Sequence, residues 1–193
     1  MKKGGTGGAN TNANGLSFES KTDLATAIQT DLSNKYKLTE MKFANKSTAK
    51  AYIVTRLSDN KDIGVVTQQN RFYDVMKAHY NLENANHKKW KPDEVFFNFE
   101  TNTIFIVEKK WQSGQGSVDE KVLGFVSKRR LYQNNFNQLT DEPKPTVQFC
   151  ALFNSSWWLS DSNVERYQDS FDILRLDSIK IFFDTYDYWW FGL

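Results

Sequence analysis

The chain predicts a mixed α/β fold, and three observations predict it. Apolar residues return at spacing four in two places, Leu24, Ile28 and Leu32 and then Phe72, Met76 and Tyr80, the pattern of helices with one buried face. Two continuous apolar runs, Ile104 to Val107 and "TVQFCALF" at 146–153, read as strands covered on both faces, from the middle of a sheet. "SVDE" at 117–120 and "SNVE" at 162–165 are capping-box patterns that open further helices. Helices alternating with buried strands make one α/β domain.

Composition bounds the reading. A length of 193 residues fits a single domain with a real core, and an aromatic share of 15% excludes disorder over most of it. The net charge of +2, from 25 Lys and Arg against 23 Asp and Glu, permits a basic face for nucleic acid without demonstrating one. Cys150 stands alone, so neither an intrachain disulfide nor a cysteine zinc cluster is available. The start "MKKGGTGGANTNANG" lacks the apolar core of a signal peptide, and no apolar run is long enough to span a membrane. A soluble protein of the cytoplasm, with no membrane partner, is the expectation. His79 lies in a helical pattern and His87 in a polar stretch, with no metal-ligand spacing between them. An enzyme built on this chain would work with carboxylates, lysine and a metal ion.

In chain order, residues 1–15 read as a flexible N-terminal arm and 16–193 as the single domain. An amphipathic helix runs from about Leu16 to Ser33, and residues 41–57 form one or two strands closed by the turn "SDNKD". A second helix covers roughly Gln69 to Leu82. Next comes a hairpin: "DEVFFNFE", a turn at Thr101-Asn102, then "TIFIVEKK". The loop "WQSGQG" leads into a long helix carrying Val118, Val122, Phe125, Arg129, Tyr132, Phe136 and Leu139 on one face. "EPKP" separates it from the strand at 146–153. A helix with Val164, Tyr167, Phe171 and Leu174, a short strand "SIKIFF" and the aromatic tail "YDYWWFGL" complete the chain. Trp157-Trp158 and Trp189-Trp190 fit a core or a subunit contact better than base stacking.

The chemistry lies in "FIVEKKWQ", residues 105–112, where a buried strand ends in three consecutive charges. Charges are costly near such a place unless they are paired or bind something charged. With the turn centred on Thr101-Asn102, Asp93 faces Lys110 and Val95 faces Glu108. Glu108 and Lys110 share a face, and Asp93 joins them as a diagonal neighbour of Glu108, roughly 7–8 Å away at the backbone. A slip of one residue would bring Glu94 onto that face instead. Two carboxylates on one face repel unless a cation sits between them, and oxygen-only ligands suit magnesium or manganese. A lysine beside them can orient a water and stabilise developing negative charge. The group describes metal-assisted attack of water on a phosphodiester. The plain alternative is a solvated strand end with an ordinary Asp93–Lys110 ion pair.

"PD" at 92–93, a strand pair, then "EKK" at 108–110 resemble the motif of the PD-(D/E)xK nuclease superfamily. "VEKKWQ" followed by "GSVDEK", and "GGANTNANGLSFE" ahead of the first helix, are similar to type II restriction endonucleases. The resemblance implies a restriction-endonuclease-like core, a mixed central sheet flanked by helices. It implies that Asp93 and Glu108 bind a catalytic Mg2+, for which Mn2+ can substitute, with the backbone carbonyl of Lys109 as a further ligand. Lys110 would position the attacking water and stabilise the pentavalent state. Gln112 would support the site or touch the phosphate, and Glu19 would contact the metal directly or through water. Either Asp93 or Glu94 could face inward.

Lys88, Lys89 and Lys91 precede Asp93 and would lie near the DNA backbone. Ser117 and Lys121, at the start of the long helix, and Arg129, in the cluster Lys128-Arg129-Arg130, are further candidates for DNA contact. A plain connector and a solvated helix face explain the same residues. The implied protein is a homodimer cutting both strands of double-stranded DNA at a palindrome, in a prokaryotic restriction-modification system with a partner methyltransferase. A structure-specific or repair nuclease of the same core, and a non-catalytic DNA-binding module, are the rival readings.

Overall fold

Among the described residues, seven strands form one sheet in chain order: β1 (Tyr36–Glu40), β2 (Ala51–Arg56), β3 (Lys61–Gln68), β4 (Glu94–Asn98), β5 (Thr103–Lys110), β6 (Thr146–Phe153) and β7 (Ile179–Phe183). The computed structural model describes residues 8–114 and 118–193, and only the backbone of residues 8–12, 118 and 119. Neighbours from β1 to β5 pair antiparallel, whereas β5 with β6 and β6 with β7 are parallel. Parallel neighbours need crossover connections, and helices supply them. The first crossover is α4 (Val118–Leu123) and α5 (Phe125–Phe136); the second is α6 (Ser155–Trp158), α7 (Asp161–Val164) and α8 (Gln168–Leu176). Two helices, α1 (Gly8–Lys21) and α2 (Leu24–Asp31), precede the sheet, and α3 (Arg71–Tyr80) joins β3 to β4.

The expected α/β class, a mixed sheet flanked by helices, is what the structure has. One face carries Phe72 and Met76 of α3, Phe125 and Phe136 of α5 and Leu174 of α8 against Val95, Phe97, Ile104, Ile106 and Phe149. The other carries Phe18, Leu24 and Ile28 with Phe191 of the C-terminal turn, against Phe96, Phe105, Val107 and Leu152. Strands β4 to β6 are therefore covered on both sides, which is why their sequences are continuous apolar runs rather than alternating ones. No described helix is long and apolar enough to cross a membrane.

Several expectations are corrected. The helix expected from Leu16 to Ser33 is two helices, because the Asp23 side chain accepts the Thr26 N–H at 2.7 Å and starts α2 afresh. The arm expected over residues 1–15 is in part helical: α1 takes in Gly8 to Gly15, propagating back from a last turn anchored by buried Phe18, while residues 1–7 lie outside the described residues. Residues 41–50 are not strand, since the Arg71 guanidinium binds the Asn45 and Ala49 carbonyls. The long helix is broken at Gly124, and its expected cap Ser117 lies outside the described residues. Ser162 falls inside α7 rather than capping a helix, and Val164 is 43% exposed instead of core.

The hairpin register matters most for the site. Glu94 pairs with Val107 and Phe96 with Phe105, two residues away from the expected alignment. The cause is the Asn98 side chain, whose Oδ1 accepts the N–H groups of Glu100 and Thr101 and closes a longer turn before Asn102, at φ 50°. A shift of two preserves which face each side chain takes. Extending the ladder by one residue sets Asp93 opposite Glu108, directly rather than diagonally.

Candidate active site

The three charges that end β5 divide between the faces of the sheet. Glu108 and Lys110 follow Ile104 and Ile106 onto the α3 and α5 face, while Lys109 follows Phe105 and Val107 onto the α1 and α2 face. Asp93, just ahead of β4, accepts the backbone N–H of Lys109 on Oδ2 at 2.7 Å. Its carboxylate is thereby fixed beside Glu108.

Lys110 sits at the centre of the group. Its ammonium donates to the Lys109 carbonyl at 2.7 Å and lies 3.3 Å from Glu108 Oε2 and 3.5 Å from Asp93 Oδ2. Burial pulls this lysine down, but Asp93 and Glu108 together outweigh it and leave its pKa above the ordinary value. It is a held cation at neutral pH, not a base. Burial pushes Glu108 up, with Asp93 adding to the effect and Lys110 and Lys128 opposing it. Glu108 is only 2% exposed, and its Oε1 is buried with no hydrogen-bond partner among the described residues.

A divalent cation fits these donors. Two carboxylates and a carbonyl already converge on a positive charge, the chemistry of hard oxygen ligation, and Glu108 Oε1 has unused accepting capacity. Among the described residues, no group of three His, Cys, Asp or Glu side chains is arranged to hold a metal. The set is two acids and a backbone oxygen. Glu19 lines the same cleft from α1, and its carboxyl is raised by burial first and by the charge of Asp93 next.

Glu94, the other of the two adjacent acids, lies on the opposite face of the sheet from Asp93, Glu108 and Lys110. Its Oε1 accepts the Leu24 N–H at 3.0 Å and lies 3.0 Å from Lys109 Nζ; its Oε2 accepts from the Tyr186 hydroxyl at 3.1 Å. Burial pushes Glu94 up to about 7, with Lys109 opposing. Lys109 also donates to the Glu19 carbonyl at 3.0 Å. The pair therefore ties α1 to the sheet directly behind the cluster.

A cleft of about 1060 Å³ opens over Asp93, Glu108 and Lys110. Gly15, Leu16 and Glu19 of α1 form one wall, and Lys121, Phe125 and Lys128 of α4 and α5 another, with Trp90, Lys91 and Trp111 at its rim. Lys121, one of the sequence's candidates for DNA contact, lines this cleft. Lys88 and Lys89 are exposed beside the cleft, with the Lys88 ammonium 4.0 Å from the centre of the Trp90 ring. Ser117 lies outside the described residues. Arg129 lines a separate groove with Arg130 and Gln133 and is not brought to the cleft. Gln112 is buried just past the cluster, exchanging hydrogen bonds with Asn154 and donating to the Gly114 carbonyl at 2.7 Å. It braces the end of β5 against that of β6.

Sequence reasoning missed Lys128 as a site residue. Its Nζ lies 2.8 Å from Glu108 Oε2, closer than Lys110. Helical spacing sets Lys128 and Arg129 on either side of the Phe125–Tyr132 line, so periodicity cannot choose between them. Compared with protein-family models, with curated proteins and with solved structures, the chain finds no match in any of the three.

Proposed function

We propose that the chain is a metal-dependent endonuclease that hydrolyses DNA phosphodiester bonds, with a PD-(D/E)xK-type site at the end of β4 and β5. One observation carries the reading: Asp93 Oδ2, Glu108 Oε2 and the Lys109 carbonyl converge on a single cation, the Lys110 ammonium, at the floor of a lysine-lined cleft. Asp93, Glu108 and the Lys109 carbonyl would hold Mg2+ or Mn2+. Such an ion polarises a phosphate oxygen and lowers the pKa of a bound water.

The chain's own groups do the rest. Lys110, charged at neutral pH, gives hydrogen bonds to the attacking water or to a phosphate oxygen and offsets the negative charge that develops there. Lys128 compensates Glu108, which has to stay ionised to serve as a ligand. Lys91 at the rim and Lys121 on the wall meet the backbone phosphates of the strand. Glu19 supplies a further acid from α1. The motifs favour a type II restriction enzyme, a homodimer cutting double-stranded DNA at a palindrome in a prokaryotic cytoplasm beside a protecting methyltransferase.

The test is a digest of long phage DNA by the wild type and Lys110→Ala, with magnesium and with chelator. Discrete fragments from the wild type with magnesium alone support the restriction reading. A smear supports a nuclease without sequence choice. Intact DNA in every lane, branched substrates included, overturns the catalytic reading.

A further inference from the structure

Resting on the nuclease reading, we infer that the cleft receives a nucleotide whose base is unpaired and that Trp90 and Trp111 stack on such bases. Both indoles line the cleft, and both are only half-buried. Trp90 lies three residues before Asp93 and Trp111 immediately after Lys110, so the chain brackets the cluster with aromatic rings. Trp90 packs against the core on the α3 and α5 face, and its carbonyl accepts from the Tyr73 hydroxyl at 2.6 Å. Trp111 packs against the core on the opposite face. The two rings reach the cleft from different sides of the sheet, and the Lys88 ammonium stands over one face of the Trp90 ring.

The surrounding charge fits a nucleotide rather than a purely apolar ligand. Lys91, Lys121 and Lys128 line the same space, and Lys88 stands over the Trp90 ring. Rings that take a base, beside cations that take its phosphates, are the elements of single-strand recognition. An unpaired base comes from a single strand, from a mismatch, or from a matched duplex with one nucleotide turned out.

The experiment measures binding of one fluorescently labelled oligonucleotide as a single strand, as a singly mismatched duplex and as a matched duplex, in chelator so that nothing is cut. Wild type is compared with Trp90→Ala, Trp111→Ala and the two Phe replacements, each checked by its melting temperature. The single strand and the mismatched duplex should both bind the wild type. Each Ala variant should lose about 5- to 140-fold in single-strand affinity, and Phe should restore most of it. A matched duplex that binds tightest and loses affinity in the Ala variants but not the Phe variants indicates a base turned out of the helix, and supports the stacking site. Ala variants that bind every form within about twofold of wild type overturn it. If those variants still give the magnesium-dependent digest, stacking alone has failed; if the wild type gives none, the nuclease reading has failed instead.

Discussion

Lys128 Nζ stands 2.8 Å from Glu108 Oε2, so the nearest charged partner of the buried acid comes from a helix and not from its own strand. The contact holds α5 over the end of β5. It also lowers the cost of keeping a carboxylate ionised where water scarcely reaches. Burial still leaves Glu108 above the ordinary glutamate value.

Lys128→Met removes one of the two lysines that pull Glu108 down, so the Glu108 pKa should rise further. The acidic limb of the cleavage profile, which reports loss of the ionised ligand, should then move to higher pH. Stability should fall by less than the ~3–5 kcal/mol of breaking a fully buried pair, because Lys110 remains beside the acid. Cleavage rates across pH at fixed magnesium check this. An unmoved acidic limb would mean that Lys128 does not set the state of Glu108.

The adjacent acids should separate cleanly. Asp93→Asn removes an oxygen from the cation cluster and should cost on the order of 100-fold or more in cleavage with little change in melting temperature. Glu94→Gln leaves the cluster intact but strands Lys109, so it should destabilise the fold and spare more of the turnover. Measuring melting and cleavage on both variants decides it. The reverse pattern would put Glu94 in the site.

Glu94 and Lys109 are 3.0 Å apart, with side chains 3% and 2% exposed. Losing Glu94 alone leaves the Lys109 charge buried and should cost about 3–5 kcal/mol; Glu94→Gln with Lys109→Met should cost less than that single change. Glu94 adds a pH dependence. Its folded pKa is about 7 against an ordinary value of 4.5, so the folded chain keeps a proton that the unfolded chain has released. The stability it contributes therefore falls as pH rises across that window, by at most ~3 kcal/mol. Relative to wild type, the double variant should gain in melting temperature between pH 5 and 7. A constant difference would contradict the raised value.

Much of this was legible in the chain. The strand at 146–153 has the bounds its apolar run gave, and the face shared by Glu108, Lys110 and Asp93 follows from a period of two that a two-residue error in register does not disturb. The register itself was hidden, because the Asn98 side chain lengthens the turn. The break at Gly124 was hidden too, since apolar spacing continues through it from Val122 to Phe125. Partners far apart in sequence were out of reach: Tyr186 meets Glu94, and Gln112 meets Asn154, only once the sheet has assembled.

The most direct test of the cation site is calorimetric titration of Mn2+ into the DNA-free wild type, Asp93→Asn, Glu108→Gln and Lys110→Met. Wild type should bind, the two acid variants should lose binding, and Lys110→Met should bind more tightly because its ammonium no longer competes for the same three oxygens. Binding that survives unchanged in Glu108→Gln, or none in the wild type and Lys110→Met, would contradict the account.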